Sequence, residues 1–128
     1  MARILVIDDE EAVRSALCMA LTVLGHTVFG ASDGKMGLEM VREHSPEVVI
    51  TDLVMPETEG LEVVMTLRGS NPNLKIIAIS GGGRQGSTDN LRMAKYLGAS
   101  HVIPKPMTIA QLKAVLDEMN VLGNPAPT

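Results

Sequence analysis

The sequence predicts an α/β protein made of five β-α units, and three observations carry that prediction. Short apolar runs without alternation recur along the chain, as expected of strands covered on both faces. Longer stretches with apolar residues at helical spacing separate them. Glycine and proline fall where those stretches stop. Repeated β-α units force parallel strands joined by right-handed crossovers. The doubly wound order 2-1-3-4-5 then makes the first and third strands neighbours.

The elements follow in chain order. Ile4–Ile7 reads as the first strand, and Val13, Ala16, Leu17, Ala20, Leu21 and Leu24 line one face of the first helix. Thr27–Phe29 is the second strand; the second helix, with Met36 and Met40 as core filler at i, i+4, stops at Ser45-Pro46 because a residue before proline resists helical geometry. Val48–Thr51 is the third strand, followed by a helix carrying Leu61, Val64, Met65 and the stem of Arg68. Ile76–Ile79 and Val102–Ile103 are the fourth and fifth strands, with a fourth helix between them. Leu112, Val115, Leu116 and Met119 mark the last helix, opened by a capping box of Thr108 and Gln111. Gly25, Gly69, Gly98 and Gly123 are read as left-handed caps after their helices.

At 128 residues the chain has the length of one domain. The boundaries are set at residues 1–123, with 124–128 (Asn-Pro-Ala-Pro-Thr) as a frayed tail. Eleven basic residues against fifteen acidic ones give a net charge of −4, which argues against nucleic acid or an anionic membrane as the main partner. Phe29 and Tyr96 are the only aromatic residues, so base stacking is excluded. Cys18 stands alone, which rules out an internal disulfide and a cysteine-based metal site. No signal peptide or membrane span is legible at the start, and a reducing cytoplasm is the expected location.

In open parallel sheets ligands bind beyond the carboxyl ends of the strands. Asp8-Asp9 follow the first strand, Asp52 the third, Ser80 the fourth and Lys105-Pro106 the fifth. Three carboxylates, a hydroxyl and an amine are thus expected at one edge. Clustered carboxylates repel, and burial disfavours their charge; a divalent cation relieves both. Hard oxygen ligands point to Mg²⁺ rather than Zn²⁺. Mg²⁺ with the Lys105 ammonium could neutralise a phosphoryl group, whose transfer depends on positioning and charge more than on covalent machinery. Asp52, central and single, is the best covalent acceptor, and Asp8-Asp9 suit the metal.

This set, with Met55-Pro56 after Asp52, resembles the receiver domain of two-component response regulators (CheY-like, flavodoxin-like fold) from Arg3 to about Leu122. The resemblance implies phosphorylation of Asp52 by a sensor histidine kinase or phosphotransfer protein, using Mg²⁺. It further implies Mg²⁺ held directly by Asp9, Asp52 and the Val54 carbonyl, with Asp8 acting through water. Ser80 would bond a phosphoryl oxygen, Lys105 would pair with it, and the Lys105–Pro106 bond would be cis. The expected protein is a stand-alone switch rather than an enzyme, catalysing its own phosphorylation and hydrolysis. Helix one is the expected kinase-docking surface. Output is expected through a protein contact on the face of helix four, strand five and helix five, where Arg84, Arg92 and Lys95 could meet an acidic partner.

The chain departs from the family in three places. Val102 stands where many members carry Tyr or Phe, so no aromatic gate is present; Pro104 removes a backbone donor. The loop Gly81–Gly86 is longer and richer in glycine than usual, and is expected to be the most mobile segment. That loop spells G-x-G-x-x-G, but at strand four and without an acid about 20 residues on, so it is a poor dinucleotide fingerprint. It also imitates a P-loop, yet Gly86 is followed by Ser87 with no lysine. Glu10 and Glu11 are read as a solvated helix start. His26, His44 and His101 lack metal spacing and are read as surface or core residues, and Cys18 as a half-buried hydrophobe. Two rivals stand beside the switch: a receiver-like module signalling by occupancy alone, and a phosphatase with an aspartyl intermediate. The second lacks the acid it needs close after Asp52, since Leu53-Val54-Met55-Pro56 follows.

Overall fold

The five apolar runs become five parallel strands in the computed structural model, which describes residues 2–53, 59–80, 87–104 and 108–119. They are β1 (Arg3–Ile7), β2 (Thr27–Ala31), β3 (Val48–Asp52), β4 (Lys75–Ser80) and β5 (His101–Pro104). The sheet order is β2-β1-β3-β4-β5, as expected. Helices α1 (Glu11–Val23), α2 (Gly34–His44), α3 (Glu59–Ser70), α4 (Ser87–Leu97) and α5 (Ile109–Glu118) connect and cover it. No described helix is long and apolar enough to cross a membrane.

The period of two along each strand divides the core. Ile4 and Val6 join Ile50, Ile77, Ile79, Leu17, Leu21, Leu112 and Leu116 on the α1/α5 face. Leu5 and Ile7 join Val49, Ile76, Val64, Leu67 and Ala94 on the α2/α3/α4 face. Apolar residues on both sides are what removed alternation from the sequence. The edge strands differ: β2 is mostly half-buried and β5 buries only Ile103. Pro104 ends β5 at this edge, where a missing N–H costs least. Helix α2 lies close on β1 because Gly37 has no side chain; a Cβ there would sit 2.4 Å from Ile7 Cδ1.

The helix ends are partly as read. Gly25 and Gly98 have φ of 98° and 127°, and the capping box of Thr108 and Gln111 forms in both directions. Ser45 does end α2, but in the left-handed region at φ 49°. Gly69 is not a cap: it lies inside α3, exposed, with nothing within 4 Å of a Cβ, so the helix passes through it at a modest propensity cost. Met36 is not core filler either, being 42% exposed, whereas Met40 packs against the core. Gly123 and the expected boundary at residue 123 lie outside the described residues.

At the amino end of the strands, cations serve backbone carbonyls. Arg3 donates to the His44 and Ser45 carbonyls at 2.9 and 2.8 Å. Arg68 donates to the carbonyls of Gly98 (2.9 Å), Pro72 (2.8 Å) and Asn71 (3.2 Å), and reaches Ser100 Oγ at 3.3 Å. Lys95 Nζ donates to the Ser100 carbonyl at 2.7 Å. Helix C-termini carry partial negative charge, so these placements stabilise them. The histidines read as structural: His26 is buried with Nδ1 accepting the Ala2 N–H at 3.2 Å, and His44 stacks on Phe29 at 4.1 Å.

Candidate functional site

The opposite, carboxyl end of the sheet gathers acids. Ile7 of β1 pairs with Thr51 of β3, so Asp8 and Asp52 leave neighbouring strands side by side. Asp8 is 2% exposed and Asp52 3%, while Asp9 is exposed. Carboxylate oxygens of Asp8, Asp9 and Asp52 all lie within 4.8 Å of one another. Among the described residues this is the one group of three acidic, histidine or cysteine side chains close enough to hold an ion.

Backbone contacts fix the two buried acids. The Leu53 N–H donates to the Ile79 carbonyl at 2.8 Å, so the β3–β4 ladder runs one residue past Asp52. The Asp8 N–H donates to the Ala31 carbonyl at 3.1 Å, carrying the β1–β2 ladder past the end of β1. Asp8 Oδ1 accepts the Glu10 N–H at 2.9 Å, and the Asp8 carbonyl accepts Arg14 Nη1 at 2.8 Å. Asp8 is therefore no solvated helix-start residue: it is buried, and its side chain closes the turn ahead of α1 while also facing the cluster. Ser80 ends β4 at the same edge, opposite Pro104. Val54, Met55-Pro56, Gly81–Gly86, Arg84 and Lys105-Pro106 lie outside the described residues, and with them the expected loop mobility and cis bond.

The donor set fits the expected ion. It is all carboxylate oxygen, the chemistry that favours Mg²⁺, with no imidazole or thiolate to favour Zn²⁺. Cys18 is half-buried and burial pushes its thiol up, against the opposing charge of Arg14, so it is no reactive thiolate. Val102, in the position of the missing aromatic, packs against the α2/α3/α4 side of the core. Sequence reasoning gave no role to Arg14. The one signal for it was a cation placed one and a half turns from the acids on the helix they open.

Comparison with known proteins places these residues in a family. Residues 4–117 match the response regulator receiver domain. The response regulator MprA of Mycobacterium ulcerans is 36% identical over 112 residues, 88% of this chain and 47% of that protein. The sensor kinase CckA of Brucella abortus is 36% identical over 120 residues, 92% of this chain but 12% of that protein. The chain thus spans about half the length of the MprA regulators it matches. Among solved structures, a response regulator receiver domain protein from Clostridium thermocellum superposes with a TM-score of 0.84 at 32% identity, covering 92% of this chain and 93% of that one.

Proposed function

This chain belongs to the response regulator receiver domain family of two-component signalling, and from that membership we propose that Asp52 is its phosphoryl acceptor. The observation that supports this most is the buried Asp52 carboxylate within 4.8 Å of two further carboxylates at a strand end. In the proposed step, an Asp52 oxygen forms a P–O bond as the P–N bond of a partner's phosphohistidine breaks, and the imidazole leaves with that bond's electron pair. Attack of water on the phosphorus later returns the carboxylate and inorganic phosphate. Asp9, Asp52 and the Val54 carbonyl would hold Mg²⁺, with Asp8 acting through a water. The ion, when bound, supplies charge neutralisation for the phosphoryl oxygens. Ser80 donates to one of those oxygens and Lys105 pairs with another. The protein is on this reading a switch that turns over its own phosphate rather than an enzyme acting on outside substrates.

Partners follow from the exposed faces. Ala12, Ala16, Met19 and Val23 form an uncharged exposed stripe along α1, beginning beside the acids, and would meet the histidine kinase or phosphotransfer protein. Met93 and Tyr96 of α4, with Ile109 of α5, expose apolar surface on the proposed output face, where Arg92 and Lys95 are also exposed. The target met there is a protein, not nucleic acid or membrane. The lone Cys18 is in keeping with a place in the reducing cytoplasm.

The test is incubation with acetyl phosphate and Mg²⁺ followed by intact mass. One added phosphoryl group, absent in Asp52→Asn, is the expected result. Val102 favours a second reading, a receiver-like module signalling by occupancy alone; no mass gain under any condition would select it.

A further inference from the structure

We propose that Arg14 is a positioning residue for the acidic pocket, holding the turn after β1 so that Asp8 and Asp9 face Asp52. The inference rests on the reading of that pocket as a Mg²⁺ site. Asp8 is the first residue beyond β1, where sheet bonding runs out. Its N–H still finds a strand partner, the Ala31 carbonyl. Its own carbonyl is taken instead by a side chain, Arg14 Nη1 at 2.8 Å, six residues on. Its Oδ1 closes the turn on the Glu10 N–H. The residue bearing one of the three carboxylates, and preceding another, is therefore held at three atoms. One of those contacts comes from α1.

The arginine stem lies against β2. Its Cδ and Cγ lie 3.4 and 3.5 Å from where a Cβ on Gly30 would stand, with Cys18 Sγ also at 3.4 Å. The stem thus runs along β2 at Gly30, where a Cβ would meet it in ordinary van der Waals contact and only a larger side chain would crowd it. Groups behind metal ligands set ligand aim, and their loss commonly weakens metal binding.

Arg14 also brings a positive charge near a cation site, and the two effects have opposite signs. Removing a charge that only repels Mg²⁺ tightens binding; removing the group that aims the ligands weakens it. Calorimetric titration of the full chain with Mg²⁺ decides between them. Arg14→Gln is expected to bind about tenfold more weakly than wild type, and Arg14→Lys, which keeps a donor, to recover part of the loss. Exchange of the Glu10 amide hydrogen in metal-free buffer should speed up in Arg14→Gln, a readout that needs no ion. Gly30→Val, whose methyl groups reach beyond the Cβ position and displace the stem although the arginine itself is retained, should weaken Mg²⁺ binding as well, and it serves if Arg14→Gln does not fold. Binding in the folded variants as tight as wild type, or tighter, overturns the proposal while leaving the pocket standing. A wild-type protein that takes up no Mg²⁺ overturns the pocket and this inference together.

Discussion

The two ends of the sheet use charge in opposite ways. At the amino end, Arg3, Arg68 and Lys95 each donate to carbonyls at or just beyond the ends of helices, where the backbone is already negative. At the carboxyl end, Asp8, Asp9 and Asp52 bring like charges within 4.8 Å. The first arrangement contributes to stability by itself; the second makes sense as a place for a cation. On the function proposed above, stability and chemistry are assigned to separate ends of the same five strands, and altering one end should leave the other unchanged.

The largest effect should come from breaking the amino end. Gly98→Ala puts a Cβ at φ 127° and 2.5 Å from Arg68 Cγ, so both the backbone and the arginine stem must give. A loss of about 3 kcal/mol in urea unfolding is expected, with Mg²⁺ affinity of the folded fraction unchanged. The carboxyl end should behave in reverse. Mg²⁺ at a hundredfold excess over its dissociation constant should stabilise the wild type by about 2.7 kcal/mol. Asp9→Asn, at an exposed position, should lose that gain yet unfold like wild type in metal-free buffer. A variant as responsive to Mg²⁺ as wild type would remove Asp9 from the site.

Arg68→Met keeps the stem and deletes the donors to Gly98, Asn71, Pro72 and Ser100, for a loss of about 2 kcal/mol. Phosphorylation by acetyl phosphate should survive it; loss of that reaction in a folded Arg68→Met protein would mean that the two ends are coupled. The smallest effect concerns His26. Burial first, then the positive amino terminus, hold its folded-state value below the ordinary one, with Glu47 opposing. The folded protein thus binds fewer protons there than the unfolded chain, and protonation of Nδ1 would remove the acceptor used by the Ala2 N–H. Stability should be full above about pH 6.5 and decline as pH falls below it. His26→Asn should flatten that slope in a pH series of thermal melts; an unchanged slope would assign it to other groups.

The carboxyl end was far more legible in sequence than the amino end. Asp8, Asp9 and Asp52 each follow a β-branched or leucine run, so the strand signal itself delivered them to one edge. Strand order then made Asp8 and Asp52 neighbours. Arg68 gave no such signal: its partner Gly98 is 30 residues away, and a backbone carbonyl leaves no mark on composition. Arg14 escaped for the same reason, since it too serves a carbonyl. Gly69 was misread because a glycine's tolerance of left-handed geometry does not oblige it to adopt that geometry. Met36 was misread because i, i+4 spacing shows that two residues share a helix face without showing that the whole face is covered. Ser45 took the left-handed cap with neither glycine nor asparagine to announce it.

One exposed side chain has a practical consequence. The chain contains a single tyrosine and no tryptophan, and Tyr96 stands 87% exposed on α4, two residues before Gly98. Excited at wavelengths beyond the absorption of Phe29, the protein's intrinsic ultraviolet emission therefore originates from one helix. A change in its intensity or in its quenching by iodide, on adding acetyl phosphate, is a message from α4 with no background from elsewhere, and the unlabelled molecule carries its own optical reporter.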